Sequence, residues 1–562
     1  MRQFREHITG VLAQACGVSV SPEELKESPV ADFGSPIAFQ MAKALRRNPK
    51  ELSDEIAARI KPDRYIGEVS SEGGYVNFTI NYPEACRMLI NDSRKPKRKG
   101  VRILLEHTSV NPTGPVHVGR IRNTLIGDCL RRVLFYGGYD VDTHYYVNDI
   151  GKQVAIIASG LADGMLPDEQ LKSKYASYAA REDYEVFFTY VGANKRFEED
   201  EAFAAKVQSM IKAAESGDDK TLRMITSSAE RCLRGQLKTF TRLGVHFDVF
   251  DYESALIRDG SVDEVMIKVR AHPKFVKNEV GEGLDLSGYG IEKRGGMSVL
   301  ARSDGTSVYL ARDVAYHLKK VSLADRLINV LGEDHKVEFQ ELKTILSEVF
   351  GVKKSLEAVH FSFVNFEGVK FSTRRGEIAS ADELLDEAVA KAQEEVKKRE
   401  IGDELTAQAV GIGAVKFHII KTTPNKQITF RWNDALNFEG DSGPYVQYAH
   451  ARSCRILEKA GVSLDSIKSV DHVVNEPEEK KLVLKLLQFE DVAETAANQL
   501  RPDLVAAYLL DLTAAYGGFY MKCPVLDAEE KVRNRRLLLV AKTRHTIKTG
   551  LDLLGIEAPE RM

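Results

Sequence analysis

Two short segments of this sequence concentrate groups that suit a polyphosphate. The first, PVHVGRIRN (115–123), follows an apolar run and a loop punctuated by prolines, and it opens a helical pattern. In an open parallel sheet, ligands bind at strand carboxyl ends, beside helix amino termini. Free N–H groups and a partial positive charge there attract anions. His117 can donate to a phosphate, Gly119 lets a ligand approach the backbone, and Arg120 and Arg122 add positive charge. The second segment, VKFSTRRG (369–376), crowds Lys370, Ser372, Thr373, Arg374 and Arg375 around a loop ending in Gly376. Such a loop could clamp a nucleotide triphosphate and stabilise charge developing on its leaving group. Taken singly, HxG is more often a capped helix start, and the basic loop a solvated turn. The two occur as an ordered pair, and that carries more weight than either alone.

The elements around them read as follows. VRILLE (101–106) is an apolar strand, and Val118, Ile121, Leu125, Cys129 and Val133 form one buried helical stripe. GGYDVDTHYYV adds a turn and a second strand, completing a βαβ unit with a right-handed crossover. Residues 152 to about 245 are helical and charged, an insertion into the sheet domain. Strand signals return at TSVYL (306–310), RLINVL (326–331) and VHFSFV (359–364), and from about residue 405 the chain is helical. Residues 1–92 read as a separate unit, with a helix over 36–48 and a strand pair in GGYVNFTINY, ahead of a linker, DSRKPKRKG. The expected fold is therefore α/β, with a parallel-sheet domain over 93–405. A small α+β domain precedes it, and an all-α domain over 406–562 follows.

Composition closes off other classes. The chain has 562 residues, 43% hydrophobic and 29% charged, with net charge −3. That is ordinary globular composition, neither disordered nor collagenous. No run approaches the roughly 18 apolar residues of a membrane helix, and the first residues lack the apolar core of a signal peptide. No membrane association is expected. The six cysteines form no CxxC pair, so buried free thiols are expected rather than disulfides or structural zinc. Basic runs at RKPKRKGVR (94–102) and KVRNRRLLLVAKTRHTIK (531–548) are either solvated faces or phosphate footprints. Trp432, the only tryptophan, reads as a core residue.

The HxG and KxSTRxG pair resembles the HIGH and KMSKS signatures of class I aminoacyl-tRNA synthetases. EHTSVNPTGPVHVGRIRN, YYVNDIGKQ, DGTSVYLARDVAYHL, FSTRRG, NFEGDSGPYVQYAHARSCRIL and LGIEAPERM together resemble the arginyl-tRNA synthetases along most of the chain. ADFGSPIAFQMAK is similar to that family's extra amino-terminal domain. The resemblance implies a Rossmann-like catalytic domain, an amino-terminal domain touching the corner of tRNA, and a helical anticodon-binding domain. It implies ATP, Mg²⁺, L-arginine and tRNA(Arg) as reactants, in a cytoplasmic monomer. His117, Gly119, Arg120, Lys370, Ser372, Thr373 and Arg374 would serve ATP. Glu106, Asn111, Tyr309 and Asp313, with Glu333 as a looser match, would serve arginine. Carboxylates and a flat ring suit a planar five-donor cation.

In GPYVQYAHAR, the residues Tyr445, Gln447, Tyr448, His450 and Arg452 lie at helix spacing. They could stack on unpaired bases, while core packing competes for both tyrosines. The chain departs from the usual signatures at two places. Arg120 stands for the second histidine, and Phe371 for methionine. A nucleotidylyltransferase and an inactive tRNA-binding relative are the rival readings.

Overall fold

The computed structural model describes residues 1–90, 97–291, 297–367, 379–467 and 469–562. Five parallel strands form the central sheet. They are β1 (Arg102–Glu106), β2 (Asp140–Val147), β3 (Val249–Tyr252), β4 (Arg326–Gly332) and β5 (Ser355–Phe361), ordered β5-β4-β1-β2-β3. β1 lies at the centre, and Ile103, Leu104 and Leu105 are all buried, as a strand covered on both faces requires. Helix α1 (Ile121–Tyr136) crosses from β1 to β2 and buries the whole stripe from Val118 to Val133. The chain continues outward to β3, then returns to place β4 on the other side of β1. Strand order thus reverses between β1 and β4, where an open α/β sheet leaves its ligand crevice. Glu106 and Asn329 face each other there in register.

Between β2 and β3 run the long helices Lys152–Ala162, Glu182–Glu199, Glu201–Glu215 and Asp219–Arg242. At the amino terminus, four helices pack with a three-stranded antiparallel sheet in the order Phe33–Ser35, Tyr75–Ile80, Ile66–Glu72. GGYVNFTINY supplies only its middle strand. Gly73 and Gly74 (φ 60° and 87°) make the tight turn into it, a backbone that glycine adopts without strain.

Two expectations change along the sheet domain. TSVYL is not a strand: helix α2 (Tyr309–Leu323) starts within it. Ala311, Val314 and Ala315 recur at helical spacing and are buried, which outweighs a five-residue alternation. The strand lies earlier, at Ser298–Arg302, in an antiparallel sheet with Phe275–Lys277 and Gly281–Leu284. VHFSFV divides, because β5 ends at Phe361 and a new strand β6 (Val364–Phe366) pairs in parallel with β7 (Ile428–Phe430).

That last pairing interrupts an otherwise helical carboxyl-terminal region. Its main helices are α3 (Gly443–Ala460), α4 (Pro477–Gln499), α5 (Asp503–Lys522) and α6 (Glu530–Leu553). α5 is long and apolar enough to cross a membrane, with mean hydropathy 1.2, which the sequence reading did not anticipate. Half of it is buried within the bundle, including Leu509, Leu512 and Phe519, as a core helix would be. The basic run in α6 is partly internal, since Arg535 and Arg536 are buried on the carboxylate of Glu479. All six cysteines are free thiols, four of them buried. Trp432 is half-buried, edge-on to Phe430.

The most consequential correction is Arg122. Its side chain is not available to a phosphate, being 1% exposed inside the protein. The guanidinium donates to the carbonyls of Ser362, Lys426 (2.8 Å) and Thr423 (3.0 Å), so it ties α1 to the end of β5 and to the turn before β7. Burial lowers its pKa to about 10, still leaving it charged at neutral pH. Arg122→Met should strand three carbonyls and lower unfolding free energy by about 2–4 kcal/mol. Urea denaturation would read this directly, and an unchanged midpoint would show the three bonds to be dispensable.

Candidate active site

The loop leaving β1 is held in strained backbone. Thr108 and Ser109 have φ of 73° and 44°, in the left-handed region that a β-branched residue such as threonine rarely adopts. Surrounding bonds fix it: Thr108 N–H donates to Asn123 (2.8 Å), Tyr146 N–H to Ser109 Oγ (3.0 Å), and Val110 N–H to Tyr145 Oη (3.0 Å). Gln236, wholly buried on the inserted helix Asp219–Arg242, donates to the carbonyls of Asn111 (3.1 Å) and Gly114 (2.7 Å). The insertion therefore shapes the loop that delivers His117.

His117 is exposed at the start of the helical turn that leads into α1. Its Nδ1 accepts the Gly119 N–H at 2.9 Å, so the proton of the neutral ring sits on Nε2 and can be donated outward. Although the residue is exposed, partial desolvation by the surrounding protein, then the charge of Arg120, lowers the pKa of the ring and favours that neutral form. A Cβ at Gly119 would lie 3.0 Å from this same Nδ1, so a larger residue would push the imidazole aside. Arg120 is exposed beside it.

The backbone around His117 pairs with a distant segment. Val118 N–H donates to the carbonyl of Ala379, and Ala381 N–H to that of Val116, each at 2.8 Å. These bonds bring the chain just after VKFSTRRG alongside His117. Lys370, Ser372, Thr373 and Arg374 themselves lie outside the described residues. Their flanks are fixed, however, by β6 on one side and by the capping box of Ser380 and Glu383 on the other.

At the end of β1 a polar pocket opens. Glu106 Oε2 accepts from the buried Lys320 ammonium at 2.5 Å and from Asn329 Nδ2 at 2.9 Å. Lys320 also lies 3.2 Å from His317 Nε2 and over the ring of Tyr316. Tyr316 Oη donates to Asp251, which also binds His144, each at 2.6 Å. Arg312 is buried on Glu253 (2.7 Å) and Glu215 (2.8 Å), locking α2 to the insertion. Asn148, with its amide nitrogen turned inward, completes Glu253 at 2.6 Å.

Asp313 is different. Among the described residues, no group donates a hydrogen bond to its carboxylate. Desolvation, then repulsion from Glu106 and Glu253, raises its pKa to about 7 against the opposing pull of Lys320 and Arg312. Tyr309, 59% exposed, stands at the mouth, its hydroxyl close to Gly151. Asn111 is also at the mouth and donates to Gln153 at 3.2 Å.

The sequence reading thus placed Glu106, Asn111, Tyr309 and Asp313 around one crevice, with the last two on a helix rather than at a strand end. Glu333 points elsewhere, accepting from Ser362 Oγ at 2.9 Å. The reading missed Lys320, Asn329 and Gln153. The spacing of Asp313, Tyr316, His317 and Lys320 along DVAYHLKK, all on adjoining helical turns, was the available signal.

In the helical region, Gln447 is wholly buried and donates to the carbonyls of Ala409 (3.1 Å) and Glu557 (2.8 Å), so it is an internal tie rather than a base reader. His450 is likewise buried on Pro559. Tyr445, Tyr448 and Arg452 remain partly exposed. The Arg452 guanidinium lies between the rings of Tyr448 and Tyr520, 4.7 Å from each centroid.

A Rossmann-like sheet with HxG at its first strand–helix junction defines a class of nucleotide-dependent enzymes, and comparison with known proteins narrows it. The family model for the class I tRNA synthetase (R) catalytic domain matches residues 85–432. The arginyl-tRNA synthetase amino-terminal domain matches 2–80, and the DALR anticodon-binding domain matches 446–562. Relatives named arginine–tRNA ligase include one from Methanocella arvoryzae, 40% identical over 97% of this chain and 96% of its own. Another, from Methanocaldococcus jannaschii, is 38% identical over 95% and 94%. The solved arginyl-tRNA synthetase of Thermus thermophilus superposes with TM-score 0.81 at 31% identity, covering 99% of this chain and all of that one. The chain belongs to the class I arginyl-tRNA synthetase family.

The Asp313 environment predicts a pH dependence. A carboxyl titrating near 7 is mostly neutral at pH 6 and mostly ionised at pH 8. If a cationic substrate needs the ionised form, its KM should fall about tenfold over that range. A flat profile for the wild type, measured with saturating co-substrates, would remove Asp313 from the binding step.

Proposed function

We infer that the protein attaches arginine to its tRNA in two steps. The arginine carboxylate attacks the α-phosphate of ATP, giving arginyl-adenylate and pyrophosphate. The 2′-hydroxyl of the terminal adenosine of tRNA(Arg) then attacks the adenylate carbonyl and releases AMP. The observation that carries this reading is the carboxylate of Asp313. It is desolvated, receives no hydrogen bond from the described residues and is repelled by Glu106, and the exposed Tyr309 lies one helical turn away on α2. A guanidinium offers five donors in a plane and is weakly hydrated, so it suits two carboxylates beside an aromatic face.

His117, through its Nε2–H, and the Gly119 backbone would meet ATP phosphates, with Arg120 adding a longer-range positive charge. Lys370, Ser372, Thr373 and Arg374 would meet the triphosphate from the loop whose carboxyl-terminal end abuts the His117 turn. No protein nucleophile is required, because catalysis by positioning and charge stabilisation suffices for phosphoryl transfer. Mg²⁺ would accompany the triphosphate. Among the described residues no cluster of three His, Cys, Asp or Glu side chains could hold it, so phosphate oxygens and water would supply most of its coordination. Asn111 is kept as an arginine-site contact, and Glu333, whose carboxylate is turned to Ser362, is not. We place the enzyme in the cytoplasm, as a monomer without membrane contact.

For tRNA, the carboxyl-terminal helices would read the anticodon loop through Tyr445, Tyr448 and Arg452, and the amino-terminal domain would touch the corner. An unpaired base could stack on the exposed Tyr448–Arg452–Tyr520 group.

Three measurements test the reading. Charging assayed with all twenty amino acids should succeed with arginine alone, and transfer of label to any other would overturn it. Asp313→Ala should raise the arginine KM at least about tenfold, since exposing a charged partner's loss costs on the order of 2–5 kcal/mol. An unchanged KM would exclude the assigned role. Tyr448→Ala should weaken tRNA binding by about 1–3 kcal/mol. A lowered melting temperature with unchanged tRNA Kd would instead make Tyr448 a packing residue.

A further inference from the structure

Lys320 is a fully buried cation that the reaction does not itself require. It is 1% exposed, on the inner face of α2, and its ammonium binds the same Glu106 oxygen that Asn329 binds. Among the described residues no hydrogen bond reaches the other Glu106 oxygen. Its remaining surroundings are the edge of His317, held neutral by burial with a pKa near 4, and the face of Tyr316. The ion pair therefore has two consequences at once. It fixes the orientation of Glu106, and it offsets part of that carboxylate's charge before any substrate arrives.

A site whose Glu106 carboxylate is already partly compensated treats two kinds of cation differently. A compact ammonium is strongly hydrated and needs concentrated negative charge to replace its water. Here it would meet a single half-compensated carboxylate oxygen, with a like charge bound to the same group. A guanidinium spreads its charge over a plane and can share donors between the free oxygen of Glu106, Asp313 and the ring of Tyr309. We propose that Lys320 is a positioning and specificity-determining residue, which orients Glu106 for a guanidinium and disfavours substrates ending in an ammonium, lysine and ornithine above all. Selection then comes partly from a built-in repulsive element, a general route to specificity.

This inference rests on the arginine pocket assigned above, and the experiment separates the two. Wild-type enzyme is assayed for charging with arginine, lysine and ornithine in the presence of tRNA(Arg), giving KM and kcat for each, and the KM for ATP. If wild type does not charge arginine, the pocket assignment fails. If it does, Lys320→Gln is compared with it. Glutamine retains a donor for Glu106 but removes the charge.

The preference for arginine over lysine, as a ratio of kcat/KM, is expected to fall at least tenfold in Lys320→Gln. The ATP KM should stay within about threefold of wild type. Asn329→Ala, which removes the neutral donor from the same oxygen, should raise the arginine KM while leaving the arginine-to-lysine ratio unchanged. A ratio unmoved in Lys320→Gln would overturn the proposal, whatever happens to stability. So would an equal fall of the ratio in both variants, because loss of packing alone would then explain it. If Lys320→Gln does not fold, Lys320→Arg keeps the charge. It should preserve the ratio within threefold of wild type, and a loss of selectivity there would also reject the idea.

Discussion

Two backbone hydrogen bonds, between Val116–Val118 and Ala379–Ala381, hold together parts of the chain that lie far apart in sequence. Without them the HxG turn and the segment that follows the basic loop would belong to separate surfaces. The bonds satisfy N–H and C=O groups that a buried loop could not leave unpaired. They also explain where the insertion packs. Tyr184 donates to Ser380 at 2.9 Å, and Arg181, Arg242 and Thr239 all bind the wholly buried Asp382. Those contacts fall on the residues just beyond Ala379, so the insertion clamps the junction from one side while Gln236 clamps the loop after β1 from another.

Arg122 plays the matching part for the carboxyl-terminal region. A guanidinium can bind several carbonyls in one plane, and here it gathers Ser362, Thr423 and Lys426 against α1. The catalytic sheet and the strand pair β6–β7 are thereby joined through one side chain. The same helix carries His117 at its approach, so the position of the phosphate-facing turn depends on contacts with the far end of the chain. The two terminal nitrogens of Arg122 carry these bonds, while its buried Nε has no partner among the described residues.

Much of this was legible in the sequence where periodicity was long. The stripe from Val118 to Val133, the apolar β1 and the helical stretch after residue 152 follow the burial that one face or two faces demand. The site residues Glu106 and Asp313 were found through resemblance of motifs, since either alone reads as an ordinary surface charge. Short segments failed. TSVYL alternates like a strand but opens α2, because the next three turns supply a longer apolar face. Arg122 and Gln447 looked available because polar type says nothing about burial, and only the tertiary structure shows the carbonyls that they satisfy. Lys320 was passed over for the same reason: a lysine near a helix end is normally solvated, and its partner Glu106 lies 214 residues away.

The charges of the crevice follow one rule with one exception. Glu106 has Lys320, Glu253 has Arg312, Asp251 has His144 and Tyr316, and Asp149 has both the backbone and the hydroxyl of Ser254. Each buried carboxylate is thus matched within the protein, as the cost of an unmatched one requires. Asp313 is the exception among the described residues: no hydrogen bond reaches its carboxylate, and desolvation with repulsion from Glu106 and Glu253 raises its pKa. A cation that enters this crevice can complete the set. The described residues thus leave one carboxylate without a hydrogen-bond donor, near the point where the strand order reverses, and an incoming cation would meet least competition from the protein's own donors there.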